Sequence, residues 1–143
     1  MAAACADPAL LRRLAPSSLS CSSPTKGRYQ RIGTQHCGYC LPCLIRRAAL
    51  DAGFGRGADP TVYTLANLTR RVLDTRHSEG QQIRSFQLAI ERLQARPDLA
   101  SVLIHKPGPL SDDPARQIAL AEVYRRGLNE VGILLAGVRT RPG

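Results

Sequence analysis

The sequence predicts a mainly α fold in which a compact cysteine knuckle leads into a small helical bundle. Three observations predict it. The stretch Cys37-Gly38-Tyr39-Cys40-Leu41-Pro42-Cys43 places three cysteines at two-residue gaps in a chain that has only 5. Helix starts are marked where an aspartate precedes a proline, at Asp7-Pro8, Asp59-Pro60 and Asp113-Pro114. Aromatic residues are scarce, with no Trp and 2 Phe. The core must then come from Leu, Ile, Val and Ala, a set compatible with helices. We divide the chain into residues 1–55 (N-terminal helix, loop and knuckle), 56–138 (helical C-terminal region) and 139–143 (tail).

Each element follows from its own signals. Asp7 and Pro8 open a short helix over 7–14, and Pro16 stops it. Residues 15–36 are rich in Ser, Pro and Gly and lack periodicity, so they read as an irregular loop pinned by Tyr29 and Ile32. The knuckle feeds a helix over about 42–52, with Pro42 in its first turn and Gly53 and Gly55 at its end. Asp59-Pro60 predicts a helix over 60–76, with Val62, Leu65, Ala66, Leu68, Val72 and Leu73 inward and Ser78-Glu79-Gly80 as its break. His77 then lies at a helix end. Ile83, Phe86, Ile90 and Leu93 step by three and four, one face of a helix over 81–95 that Pro97 ends. Residues 98–105 fit a short helix, with a short strand as the alternative. Lys106-Pro107-Gly108-Pro109 is a rigid turn. The last helix, 114–136, carries Ile118, Ala121, Tyr124, Leu128, Val131 and Leu135 as its stripe, with Gly127 and Gly132 as marks of close helix contact.

The knuckle carries the chemistry. Cys21 lies upstream, and four soft thiolates can close a tetrahedral shell around zinc. Gly38 permits the tight turn that aims successive sulfurs at one ion. His36 and Cys5 are alternative fourth ligands. A redox CxxC pair would leave Cys21 and Cys43 unexplained. An iron–sulfur cluster is a further reading. Disulfides are disfavoured, because the N-terminus lacks a basic region followed by an apolar one and cytoplasm is the expected compartment. No run approaches the roughly 20 apolar residues of a membrane span.

The formal charge is +9, and 18 of the 20 basic residues are Arg. Arginine favours bidentate contact with carboxylate or phosphate, which points to an anionic partner; a GC-rich genome gives the same composition without a function. The basic residues are dispersed and few aromatics are present to stack on bases, which argues against direct nucleic-acid binding. Lys26, Arg28 and Arg31 give the loop before the knuckle a positive rim. They offset the negative charge of a zinc tetrathiolate, or Arg28 contacts a substrate anion. No Ser-His-Asp or Cys-His grouping is suggested by spacing, so no catalytic residue is assigned. A four-cysteine zinc is closed and structural.

Ser20-Cys21, then Cys37-Gly38-x-Cys40-x-x-Cys43-x-x-Arg46, resembles the C-terminal zinc motif of the QueC family of 7-cyano-7-deazaguanine synthases. Arg47-Ala48-Ala49-Leu50, Lys106-Pro107-Gly108-Pro109-Leu110 and Val123-Tyr124-Arg125-Arg126-Gly127 are similar to the QueC-like branch of the Qat anti-phage defence system. The resemblance implies zinc held by Cys21, Cys37, Cys40 and Cys43. It implies an ATP-dependent enzyme that adenylates a carboxylate before ammonia displaces AMP, on an adenine nucleotide alpha-hydrolase-like fold. In the family the Arg46 position belongs to the motif, and we expect Arg46 to pack against the metal loop or an acidic partner group. The family's Ser-Gly-Gly-x-Asp-Ser ATP loop does not occur in this sequence. The expectation is therefore the C-terminal region of such an enzyme without its nucleotide-binding domain, with ATP entering only through that domain. Its expected partners are that domain, a second copy of itself, or a protein of a defence operon. Two other classes stay open: a stand-alone zinc-binding helical adaptor for an acidic protein, and a basic zinc-ribbon-like nucleic-acid binder.

Overall fold

Aspartate and proline begin two helices where the sequence places them. In the computed structural model, which describes residues 2–25, 31, 33–108, 110 and 112–142, α1 is Pro8–Leu14 and Asp7 Oδ1 caps it by accepting from Leu10 N at 2.8 Å. Short 3-10 turns at Ala2–Ala4 and Ala15–Ser17 flank it. α2 is Leu41–Phe54, and its end at Gly55 takes a φ of 97° that a side chain would resist. α3 is Ser78–Ala95, α4 is Leu99–Leu103 and α5 is Pro114–Leu134, whose cap Asp113 accepts from Ala115 N at 2.9 Å. Two short strands, β1 (Leu73–Asp74) and β2 (Thr140–Arg141), pair in parallel with Leu73 opposite Thr140. The residues expected as a tail thus return to the body of the molecule.

The expected helix over 60–76 does not form. Asp59 turns its side chain onto Thr61 N at 2.9 Å, and Asn67 does the same to Thr69 N at 2.8 Å. These local bonds give the backbone an alternative to the helix. Thr61, Val62, Thr64, Thr69 and Val72 are β-branched and resist a helix further. Two amides of the segment go to the knuckle instead: Thr64 N donates to His36 O at 2.9 Å and Leu65 N to Cys37 O at 3.0 Å. Of the side chains expected inward, Leu68 and Leu73 are buried, but Val62 is 70 % exposed and Val72 and Ala66 also face solvent. Ser78, Glu79 and Gly80, expected as a break, form the first turn of α3, and His77 is its N-cap residue.

One core cluster joins Leu44 and Ala48 of α2 to Leu68, Leu73, Ile83, Val131, Leu135 and Val138. Phe86 and Ile90 pack on it from α3 as their spacing predicts. Ile118, expected in the α5 stripe, is 70 % exposed. Gly127 meets nothing within 4 Å and Gly132 meets Ile90 at an ordinary 3.7 Å, so neither marks an unusually close helix contact. Among the described residues no helix is long and apolar enough to cross a membrane.

Candidate metal centre

Four cysteines from three pieces of chain converge. The Sγ atoms of Cys21, Cys37, Cys40 and Cys43 all lie within 4.8 Å of one another, a group that can hold a metal ion. Cys37 and Cys40 come from the turn before α2, and Cys43 sits in the first turn of α2, where Pro42 needs no amide partner. Cys37, Cys40 and Cys43 are buried; Cys21 is partly exposed. The fourth member is the upstream Cys21, not His36 or Cys5. Cys5 is exposed and its thiol donates to Asp7 O at 3.6 Å.

The donor set fits one tetrahedral ion. Sulfurs bound at about 2.3 Å to one zinc stand about 3.8 Å apart. Here Cys21 Sγ is 3.9 Å from Cys40 Sγ, and Cys37 Sγ is 3.9 Å from Cys43 Sγ. Backbone amides already point at the sulfurs. Cys37 N donates to Cys21 Sγ at 3.4 Å and Cys40 N to Cys37 Sγ at 3.3 Å. Such donors stabilise thiolates, as does the N-terminal end of α2. The hydrogen bond with Cys43 holds the Cys37 thiol well below its ordinary range, and the same bond raises that of Cys43. Burial raises that of Cys21.

The surroundings brace this set. Gly38 sits at a φ of 88°, and a Cβ there would stand 2.6 Å from Leu65 O. Arg47 reaches back from α2 to donate to Gly38 O at 3.2 Å, Leu65 O at 3.0 Å and Ala66 O at 2.6 Å, with its guanidinium 4.6 Å from the Tyr63 ring centre. Tyr63 donates to Asp59 Oδ2 at 2.6 Å; burial first, then this bond to Asp59, pushes its hydroxyl pKa up. His36 is buried with its ring edge-on to Tyr63. Its Nε2 lies 3.0 Å from Ser18 O, which can only accept, so the Nε2–H donates there; Nδ1 faces Cys43 Sγ at 3.6 Å.

Arg46 packs inward. It donates to Ser18 Oγ at 2.8 Å, to Thr61 Oγ1 at 3.2 Å and to the carbonyl of Ala15. Arg28, the other residue expected at a substrate or partner, lies outside the described residues. Sequence reasoning missed the 61–66 segment as the second half of the knuckle, and with it Arg47, Tyr63 and Asp59. Asp59-Pro60-Thr61 held the signal, since an aspartate two residues before a threonine amide can close a local turn as readily as cap a helix. No family model, curated protein or solved structure matches this chain.

Proposed function

We propose that the four cysteines hold one zinc ion in a closed structural site, and that the chain is the zinc-bearing C-terminal region of a QueC-like, ATP-dependent enzyme of the 7-cyano-7-deazaguanine synthase type, in an anti-phage defence branch. The observation that carries the metal reading is the convergence of four sulfurs within 4.8 Å of one another. That space suits a single ion and is too small for a multi-iron cluster. Four thiolates leave no coordination position for water, so the ion would fix the knuckle and supply no Lewis-acid chemistry. The chain's own residues would do the positioning: Arg47 ties the knuckle to residues 65 and 66, and Arg46 ties α2 to residues 15 and 18. What supports the enzyme reading is the motif Cys37-Gly38-x-Cys40-x-x-Cys43-x-x-Arg46. Adenylation would belong to a nucleotide-binding domain outside these residues.

Purified protein should contain about one zinc per chain, and cobalt(II) in its place should give the visible absorption of a tetrahedral thiolate site. Cys37→Ser should remove both. A metal-free protein with unchanged stability would sink the metal reading. Sequencing the coding DNA upstream of Met1 tests the enzyme reading separately. An open frame encoding Ser-Gly-Gly-x-Asp-Ser supports it, and in-frame stops would replace it with the adaptor. The adaptor has one observation in its favour. An apolar cleft of about 250 Å³ between α2, α3 and α5 is walled by Ile45, Phe86, Val123 and Val131, and Ile45 is 53 % exposed.

A further inference from the structure

Residues 2–18 form an arm that lies across α2 with little apolar burial of its own. α1 has no buried residue, and Leu10 and Leu14 face solvent. Within the arm, Ala2 and Ala15 are the buried hydrophobic residues found among those described. Two alanine methyl groups, the half-buried Leu11 and the Arg12 guanidinium 5.9 Å from the Phe54 ring centre remove little surface from water against the ordering of a segment this long. Polar ties must carry the rest, and they gather at one end. Arg46 binds Ser18 Oγ and the Ala15 carbonyl, and His36 Nε2 donates to Ser18 O at 3.0 Å. Cys21 follows three residues later with its sulfur 3.9 Å from Cys40 Sγ.

Every one of these ties starts beside the metal centre. Arg46 is one helical turn beyond Cys43, and His36 immediately precedes Cys37. Cys21 is itself one of the four. It is also the odd member of the set. The other three are buried and fixed by α2, by the Cys40 N to Cys37 Sγ bond and by the 61–66 segment. Cys21 as a residue is partly exposed, although its sulfur belongs to the buried group, and it hangs from the loop that ends the arm. Beneath the arm, Leu11, Ala15 and Ser18 face Arg46, Ala49 and Leu50 of α2 across a shallow cleft.

We propose that Cys21 staples the arm to the knuckle through the metal and is the detachable ligand. Its release lets residues 2–18 leave α2 and bares the Ala49–Leu50 face. The inference rests on the metal reading above. On release the Cys21 thiolate would return to the thiol by taking a proton from water, with the hydroxide passing to solvent, and Cys37, Cys40 and Cys43 would hold the ion. The three remaining cysteines keep their places through α2, the Cys40 N to Cys37 Sγ bond and the 61–66 segment, and they give up only the Cys37 N to Cys21 Sγ bond and the His36 link to Ser18.

The test uses the full zinc-loaded chain and Cys21→Ser. Zinc content, trypsin cleavage after Arg12 and Arg13, and amide exchange in α1, α3 and α5 are read on the same samples. The expected result is retained zinc, arm cleavage faster by about tenfold, and unchanged exchange in α3 and α5. Unchanged arm cleavage with zinc retained overturns the proposal. So does a parallel loss of protection in the arm and in α5, which would make Cys21 a support of the whole fold. If Cys21→Ser does not hold zinc, Arg46→Gln decides, since it cuts the arginine ties to Ala15 and Ser18 and leaves all four cysteines. An arm that stays protected while zinc is bound and is cleaved faster once zinc is chelated supports the proposal, and arm release with zinc retained overturns it. Wild-type zinc content reports separately on the metal reading.

Discussion

Gly38 stands where the knuckle tolerates no side chain, for two independent reasons. Its φ of 88° belongs to the left-handed region, and a Cβ would meet Leu65 O at 2.6 Å and Tyr63 Cβ at 3.0 Å. The backbone conformation alone costs an alanine about 1–2 kcal/mol. The clash adds to that, because Leu65 O is backbone and also accepts from Arg47 at 3.0 Å. Relieving it means moving residues 63–66 away from the turn that carries Cys37 and Cys40. Gly38→Ala is therefore expected to weaken zinc binding at least about tenfold, since 1.4 kcal/mol is a factor of ten in an equilibrium constant. Competition with a chelator of known affinity measures this. Unchanged zinc affinity would mean that the turn is looser than the contacts imply. Arg47 shows the same logic in reverse. Its partners are three carbonyls and the face of Tyr63, so it is a cation satisfied without a carboxylate, placed beside a group of thiolates.

At the scale of elements, two glycines of helices α3 and α5 should answer alanine substitution with opposite signs. Gly80 lies in the first turn of α3, and a Cβ there would stand 2.2 Å from Asp74 O and 2.5 Å from Asp74 C, both backbone of β1. Gly127 in α5 has nothing within 4 Å. Helix propensity alone gives alanine about 1 kcal/mol over glycine. Gly127→Ala should realise that gain, while Gly80→Ala should lose about 1–3 kcal/mol as β1 is pushed off the helix. Urea midpoints of the two variants give the signs, and a stabilised Gly80→Ala would show that β1 can yield. Gly80 also explains what was legible. Periodicity found α3 through Ile83, Phe86 and Ile90, because one face of that helix meets the core. Its start reads as a break in the sequence, because a glycine two residues after a serine looks the same whether it ends a helix or admits a neighbour's backbone. Cys37, Cys40 and Cys43 are legible from spacing, since that loop is local; Cys21 lies 16 residues before Cys37, and spacing leaves it open against His36 and Cys5. The 60–76 segment is not legible, since two of its amides go to the knuckle, Thr64 N to His36 O and Leu65 N to Cys37 O, and two go to the chain end, Leu73 N to Arg139 O and Thr75 N to Arg141 O. No periodicity in a segment records a partner elsewhere in the chain.

At the scale of the whole molecule, the two clusters divide the fold by what holds it. The aliphatic core joins α2, α3, α5 and residues 68–73, and needs no ion. The second cluster is Cys37, Cys40 and Cys43 with Cys21, Tyr39 and Tyr63 against it, which is too little apolar surface to stand on its own. Its order should come from the metal, whose binding energy is also folding energy. Protons compete for the same sulfurs. In the metal-free protein the Cys37 contact first, then burial, raises the Cys43 thiol pKa, and burial raises that of Cys21. A raised pKa means the protonated thiol is favoured by the fold, so this contribution is complete at low pH and is lost as pH rises. Metal binding requires the opposite state, because each coordinated sulfur must give up its proton. The stabilisation supplied by zinc is therefore weak at low pH and grows as pH rises. Each proton displaced makes the apparent affinity change about tenfold per pH unit. The gap in Tm between zinc-loaded and chelated protein should widen between about pH 6 and pH 8, measured by calorimetry at matched ionic strength. The chelated protein should keep its α3–α5 exchange protection while the knuckle loses it. A Tm gap that stays constant across that range would mean that the sulfurs bind no ion that competes with their protons, and a chelated protein that melts as one unit would mean that the aliphatic core does not stand without the knuckle.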